Sequence, residues 1–212
     1  MKYDLRSMNK SKNDIKAVVF DIGGVLIENP WESMMCHYAK TLQIDIKKLD
    51  TAIREIYDDF DKNIISEENV WKHVMDLYNK KQQTIRGLWI EGVTLAYQEK
   101  KEMMLLAKKL KNKGYKVGIL SNTEHPTAPF LQHRFKLHFH TVILSSEVGL
   151  AKPQKEIYEH TLIKLQTLPH ETVFIDDKIE NIEGAKKAGM HAIHYTTHEA
   201  FLEQFSHYVK LG

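Results

Sequence analysis

Residues 18–30 read VVFDIGGVLIENP, and this stretch decides the expected fold. Its apolar run at 18–20 has the length and composition of a buried β-strand. The run ends at one carboxylate, Asp21, and two glycines, Gly23 and Gly24, follow closely. Because glycine has no side chain, backbone N–H groups beside it can approach a ligand. A strand that ends on a charge next to glycines therefore indicates a ligand site.

Four more apolar runs of strand length follow along the chain. With AVVF (17–20), they are VGIL (117–120), TVILS (141–145), TVFID (172–176) and AIHY (192–195). None of them alternates cleanly between apolar and polar residues, which favours strands that are covered on both faces. Helical patterns occupy 99–113, 154–166 and 179–188, and a terminal helix is expected within 197–212. Strands that alternate with helices in this way predict a doubly wound, parallel α/β sheet.

The long interval after the first strand has a different pattern. Residues 31–92 contain no convincing strand and read as several amphipathic helices. About 60 helical residues at this point indicate a small helical module inserted over the edge of the sheet. We therefore predict a core of residues 14–28 and 94–212, an all-helical cap at 29–93, and a loose N-terminal tail at 1–13.

Composition excludes several classes of protein. The chain has 212 residues and a formal net charge of +2, which gives no reason to expect a nucleic-acid or membrane surface. Its single cysteine, Cys36, cannot form an internal disulfide, and no apolar run approaches the roughly 20 residues of a membrane span. We expect a cytoplasmic protein that binds neither nucleic acid nor membrane; the sequence does not indicate its oligomeric state.

Polar residues follow the predicted strands at the points where a parallel sheet binds ligands, the carboxyl ends of its strands. They are Asp21 after the first strand, Ser121 and Asn122 after the second, Lys152 after the third, and Asp176 with Asp177 at the end of the fourth. Any single Asp or Asn after a strand is equally well explained as a turn or helix-cap residue, and a lone lysine before a proline is better explained as a solvated side chain. Their convergence on one edge of the sheet is harder to explain without a ligand.

The chemistry of this set is coherent. Its three aspartates would repel one another unless a cation lay among them, and magnesium prefers hard oxygen ligands. The hydroxyl of Ser121, the amide of Asn122 and the ammonium group of Lys152 suit the oxygens of a phosphoryl group. Gly24 clears space around Asp21. A magnesium and phosphate site at this edge is the expectation.

Four motifs in order, FDIGGVL, SNT, KP and IDDKIEN, resemble those of the haloacid dehalogenase superfamily, whose members are mostly phosphatases that work through an aspartyl-phosphate. The resemblance covers most of the chain, including a helical insertion after the first motif. Within that superfamily, the chain is similar to the subfamily with small helical caps, which includes α-glucose-1-phosphate phosphatases and the phosphatase domain of soluble epoxide hydrolase. The resemblance implies a Rossmann-like core with a cap that sets substrate choice and excludes water.

The resemblance also implies a role for each matched residue in phosphoryl transfer. Asp21 would attack phosphorus and become phosphorylated. Ser121 and Asn122 would hold the transferring group, with Gly24 beside them. Lys152 would neutralise the charge of that group and orient the nucleophile.

The implied magnesium ligands come from the first and the fourth motif. Its ligands would be the carboxylate of Asp21, the backbone carbonyl of Gly23 and the acids of the fourth motif. Of these acids, Asp177 would be the direct ligand and Asp176 a partner behind it. Asn181 would support this loop, or would serve helix packing.

One departure from the family pattern concerns Gly23. Most phosphatases of the family have an aspartate there, which protonates the leaving group and then activates water. General acid–base catalysis contributes about 10²–10⁴-fold, so its loss puts turnover in doubt. Glu28, His125 or a side chain of the cap could substitute, although the pattern favours a solvated loop residue for both Glu28 and His125.

Three functions remain as hypotheses. The first is a magnesium-dependent phosphatase for a small phosphorylated metabolite, with a sugar phosphate as one candidate substrate. The second is a catalytically weak or silent phosphate-binding protein that kept the fold and lost the acid. The third is a haloacid dehalogenase, which needs no metal, so the pair of acids in the fourth motif counts against it.

Overall fold

The computed structural model describes residues 15–80 and 85–210, so the predicted tail at 1–13 lies outside the described residues. Five parallel strands form one sheet in the order β3-β2-β1-β4-β5. They are β1 (Ala17–Phe20), β2 (Lys116–Ser121), β3 (Thr141–Leu144), β4 (Thr172–Asp176) and β5 (His191–His194). Each coincides with an apolar run of the sequence within one or two residues. The predicted parallel α/β sheet is confirmed.

Helices cover both faces of this sheet. The core helices are α5 (Lys101–Asn112), α6 (Ala128–Phe135), α7 (Ser145–Val148), α8 (Lys155–Leu165), α9 (Ile179–Lys187) and α10 (His198–Ser206). Helices α5, α6 and α10 pack with Val18 and Phe20 on one face, and α8 and α9 pack with Ala17 and Val19 on the other. Since β1 is covered on both faces, its continuous apolar sequence is explained.

Between β1 and β2 the chain forms the predicted helical insertion. Its helices are α1 (Trp31–Leu42), α2 (Ile46–Asp61), α3 (Glu67–Leu77) and α4 (Leu88–Ala96). They enclose a hydrophobic cluster of their own, in which Tyr38, Trp71 and Trp89 are essentially fully buried. We call α1–α4 the cap. The boundary predicted at residues 93 and 94 falls inside α4.

Two segments connect the cap to the sheet and run side by side. Ile27 forms an antiparallel bridge with Glu99, and backbone bonds join Glu28 N–H to Gln98 O (2.9 Å) and Lys100 N–H to Leu26 O (2.9 Å). The base of the cap is thereby fixed next to the end of β1. Within residues 15–80 and 85–210, no helix combines the length and apolar character needed to cross a membrane.

Candidate active site

The carboxyl ends of three neighbouring strands, β2, β1 and β4, bring the predicted residues together. Phe20 pairs in register with Ile119 and with Ile175, and Asp21 N–H donates to Ile175 O at 2.8 Å. Asp21 and Asp176 therefore leave adjacent strands at the same level. One carboxylate oxygen from each of Asp21, Asp176 and Asp177 lies within 4.8 Å of the others.

Lys152 enters this cluster from the loop that follows β3 and α7. Its Nζ lies 2.6 Å from Asp176 Oδ2 and 2.9 Å from Asp21 Oδ1, with 1% of the side chain exposed. Asn122 holds the lysine backbone, because its Oδ1 accepts from Lys152 N–H at 2.8 Å and its Nδ2 donates to Lys152 O at 3.0 Å. Both polar atoms of the Asn122 side chain are engaged in the loop. Contact of Asn122 with a phosphoryl group would therefore use the second N–H of its amide or its backbone.

Asp176 is a buried partner for its neighbours. In addition to Lys152, its carboxylate accepts from Lys178 N–H at 2.8 Å and from Asn181 Nδ2 at 3.0 Å to each oxygen. These bonds suit the supporting role implied for Asp176. They also favour loop support over simple helix packing for Asn181, the two alternatives that the sequence left open.

Burial and charge raise the pKa of the carboxylates. Burial raises the pKa of Asp21 to about 6; Lys152 opposes this rise, and the nearby carboxylate of Asp176 adds to it. Burial and then Asp176 raise the pKa of Asp177. Although burial lowers the pKa of Lys152, Asp176 and Asp21 together hold it above its usual value. Three carboxylates facing one ammonium group leave an excess of negative charge, which a cation would balance.

Two observations show that magnesium fits this cluster. Asp177 Oδ1 is buried and has no hydrogen-bond partner among the described residues. Gly24 has a φ of +75°, and a Cβ there would overlap the carboxylate of Asp177, so glycine keeps this carboxylate in place. Hard carboxylate oxygens, one of them unpartnered, form a donor set that suits magnesium.

A cavity of about 350 Å³ lies where the cap meets the core, and it begins beside the nucleophile candidate. Gly23 and Ser121 belong to its wall, which also includes residues of the segment after β1, of the loop after β2 and of α1, α2, α4 and α6. No atom lies within 4 Å of the place that a Cβ on Gly23 would take. The position of the missing acid is thus open space that faces the cavity.

Neither sequence candidate for a substitute acid lies at this cavity. Glu28 is exposed and its Oε2 is 3.5 Å from Lys100 Nζ, on the connecting segments. His125 is also exposed. A group that replaces an aspartate at position 23 must reach the same space, and the cavity wall includes neither of them.

Sequence reasoning missed a buried acid at the cavity, Glu124. Its carboxylate accepts from the Tyr57 hydroxyl, from Trp89 Nε1 at 3.3 Å and from Thr127 Oγ1 at 3.2 Å. Tyr57 and Trp89 belong to the cap, so Glu124 bonds the core to it. The one signal in the sequence was its position directly after the SNT motif.

A second buried acid also links the cap to the core, but here the acid belongs to the cap and the donor to the core. Asp61, at the end of α2, accepts from Ser145 Oγ at 3.1 Å, and Ser145 Oγ accepts from Thr123 N–H at 2.8 Å. Burial, with a smaller contribution from Glu124, raises the pKa of Asp61 to about 6. The two acids fix the position of the cap over the carboxyl ends of the strands.

Comparison with known proteins gives three kinds of similarity. A family model described as haloacid dehalogenase-like hydrolase matches residues 15–189. The sesquiterpene phosphatase astK of Aspergillus oryzae is 29% identical over 85% of this chain and 90% of its own length. The D-ribitol-5-phosphate phosphatase of Bacteroides thetaiotaomicron is 24% identical over 82% of this chain and 89% of its own.

Solved structures share the fold. One is a haloacid dehalogenase family enzyme from Bacteroides thetaiotaomicron, crystallised in complex with magnesium and inorganic phosphate. It superposes with a TM-score of 0.73 at 23% identity and covers 90% of this chain and 99% of that one. The sheet and the helical insertion described above are therefore an architecture that is known from experiment.

Proposed function

Because the chain belongs to the haloacid dehalogenase-like hydrolase family, we propose that it is a magnesium-dependent phosphatase that works through an aspartyl-phosphate on a small phosphorylated metabolite. The observation that carries this proposal is the convergence of Asp21, Lys152 and Asp177 at one edge of the sheet. A nucleophilic carboxylate, a buried cation and an unpartnered metal-ligand oxygen are the groups that phosphoryl transfer from a monoester requires.

In the first step, one carboxylate oxygen of Asp21 bonds to phosphorus and the bond from phosphorus to the ester oxygen breaks. The ester oxygen leaves with the electron pair and takes a proton from water. Lys152 keeps Asp21 oriented, since its Nζ is 2.9 Å from Oδ1, and balances negative charge on the phosphoryl oxygens. The hydroxyl of Ser121, in the wall of the cavity, donates to one of those oxygens.

In the second step, water attacks the phosphorus of the aspartyl-phosphate. The bond from phosphorus to Asp21 breaks, inorganic phosphate forms, and the carboxylate of Asp21 is restored. Asp176 and Asn122 hold Lys152 in place from its side chain and its backbone through both steps.

Asp21, the carbonyl of Gly23 and Asp177 would hold magnesium, with Asp176 behind them. When bound, the ion supplies positive charge that offsets the charge of the phosphate oxygens. The hydrogen-bonded Asp176 and the unpartnered Asp177 Oδ1 support this division of roles.

A second candidate, a silent phosphate-binding protein, is favoured by Gly23 alone. Glycine has no side chain, so this position supplies no proton to a leaving group. Metal and phosphate contacts do not depend on that side chain, so binding would survive without turnover.

The decisive experiment is hydrolysis of p-nitrophenyl phosphate, whose leaving group needs no proton. The purified protein should release phosphate with magnesium, and the Asp21→Asn variant, which keeps the shape of the side chain, should release none. Tight binding of magnesium and phosphate without any release would establish the silent candidate instead. Chloride release from a 2-haloacid in the presence of a chelator would establish a dehalogenase.

We propose the cytoplasm as the place of action, with no nucleic-acid or membrane partner. The small net charge of +2 and the single cysteine support this assignment. Fractionation of cells that express a tagged protein, with nucleic acid and vesicle binding assays, would test it.

A further inference from the structure

The wall of the cavity beside Gly23 includes a group of apolar side chains. Away from the phosphoryl end, the apolar side chains in this wall are Ile27, Pro30, Trp31, Met34, Val93 and Leu131. They come from the segment after β1 and from α1, α4 and α6, so both the cap and the core contribute. A volume of about 350 Å³ is in the range of sites that enclose a small organic group.

Several of the polar groups in the wall are already bonded within the protein, and Asn29, Thr123 and Lys178 line it as well. Glu124 accepts from Tyr57 and from Thr127, as described above. Trp31 Nε1 donates to Asp50 Oδ1 at 2.5 Å, and Arg54 Nε lies 2.8 Å from Asp50 Oδ2. These donors and acceptors are therefore engaged before a substrate enters.

Two cationic residues, Arg54 and Lys178, line the cavity. The guanidinium of Arg54 lies over the Trp31 ring, 4.7 Å from its centre. Lys178 adjoins the carboxyl end of β4, next to the site of phosphoryl transfer. The charged lining residues of the cavity are therefore these two cations and Glu124.

A polyhydroxylated substrate is a poor match for such a wall. Each hydroxyl group that loses water and finds no partner lowers affinity by roughly tenfold. A hydrocarbon group has no such loss, and its burial against these side chains is favourable. Such a wall favours an apolar organic group over a hydroxylated one, while the phosphate would lie at the carboxyl ends of the strands.

We infer that the cavity selects phosphate monoesters whose organic group is apolar, over sugar and polyol phosphates. This inference rests on the proposed phosphatase function and specifies its substrate class. It concerns the side chains of the cap and of α6, and not the residues that contact phosphate.

The test compares two esters that differ only in hydroxyl groups, n-hexyl phosphate and sorbitol 6-phosphate. Both are primary alkyl esters with six carbons, so the chemistry at phosphorus is closely matched. We expect kcat/KM for the hexyl ester to be at least about tenfold higher. An equal or higher value for sorbitol 6-phosphate would overturn the inference.

Binding of two non-hydrolysable phosphonates separates this inference from the proposed function. Hexylphosphonate and a matched polyol phosphonate are titrated in the presence of magnesium by calorimetry. Preference for hexylphosphonate supports the inference even if p-nitrophenyl phosphate is not hydrolysed. A lack of hydrolysis would overturn only the phosphatase proposal. Preference for the polyol overturns the inference even if hydrolysis is fast.

A pair of variants locates the selectivity. Met34→Gln places an amide of nearly the same size in the cavity wall, and Met75→Gln makes the same change at a buried site of α3 outside that wall. We expect Met34→Gln to reduce the ratio of kcat/KM for the two esters several-fold and Met75→Gln to leave it unchanged. Thermal unfolding verifies that both variants are folded. An unchanged ratio in folded Met34→Gln contradicts the inference.

Discussion

Lys152 Nζ lies 2.6 Å from Asp176 Oδ2, and at most 1% of either side chain is exposed. Two opposite charges buried at this distance lose a large hydration energy, which their attraction offsets only when other bonds complete the site. Here Asn181 and the backbone of Lys178 supply those bonds to Asp176. The lysine is consequently a fixed part of the cluster that contains the nucleophile candidate.

Removal of the buried ammonium group should destabilise the protein. Lys152→Met leaves Asp21 and Asp176 without the ammonium group that pairs with them, and loss of one partner of a buried pair costs about 3–5 kcal/mol. We expect a decrease of that order in the free energy of unfolding in urea without magnesium, and partial recovery with magnesium. Lys155→Met is the control, since Lys155 is exposed and pairs with Glu159 on the surface of α8. Equal stability of Lys152→Met and the wild type would contradict this prediction.

The two adjacent glycines should differ in their effect on magnesium affinity. Gly24→Ala brings a methyl group onto the carboxylate of Asp177 and forces an unfavourable φ of +75°. Gly23→Ala places its methyl group in open space. We expect calorimetric titration to show a loss of at least about tenfold in affinity for Gly24→Ala, because a displaced ligand weakens the site. Similar losses for both variants would show that Asp177 does not define the site.

Asp61 should make stability depend on pH. Burial, the nearby Glu124 and the opposing effects of Ser145, Lys152 and Lys178 together place its pKa near 6, above the unfolded value of 3.8. The folded state therefore binds a proton more tightly, so this group contributes stability at low pH that is lost as pH rises through 6. Two units of pKa correspond to about 3 kcal/mol.

The measurement is the free energy of unfolding of the wild type relative to Asp61→Asn. We expect this difference to become less favourable to the wild type between pH 4 and pH 6.5. Asp59→Asn, at an exposed position of the same helix, is the matched control. A difference that does not change with pH would mean that Asp61 has an ordinary pKa in the folded protein.

Restoring an acid at position 23 should change how the rate depends on the leaving group. With Gly23, kcat/KM for a series of substituted phenyl phosphates should decrease steeply as the pKa of the phenol rises. Gly23→Asp can protonate the leaving oxygen from space that is now open, so its slope should be shallower and its gain largest for poor leaving groups, up to about 10²-fold. Gly23→Asn matches the size without the acid. The prediction is wrong if the aspartate and asparagine variants have the same slope.

The sequence predicted the sheet and the edge that carries the site. Runs such as TVFID (172–176) are apolar without alternation because both faces of β4 are covered, and strand ends in a parallel sheet meet at one edge. That rule alone placed Asp21 beside Asp176. The relation of Asn122 to the backbone of Lys152 was not predictable, because residues 30 positions apart meet only after two loops have folded.

The contacts between the cap and the core could not be predicted from the sequence either. Hydrophobic periodicity shows which face of a helix is buried, but not which residue of another module it meets. The bond from Tyr57 to Glu124 and the bond from Ser145 to Asp61 depend on how the cap lies over the sheet. The choice of Glu28 and His125 as substitute acids was based on distance along the chain, and this was a poor guide to the cavity.

The central claim is that the carboxylate of Asp21 receives the phosphoryl group. The most direct test is peptide mass spectrometry on protein quenched in acid during turnover of p-nitrophenyl phosphate with magnesium. Because Gly23 cannot activate water for the second step, we expect the phosphorylated enzyme to accumulate, with the added phosphoryl group on Asp21. Phosphate release without any modification of Asp21, or with the group on another residue, would contradict the account.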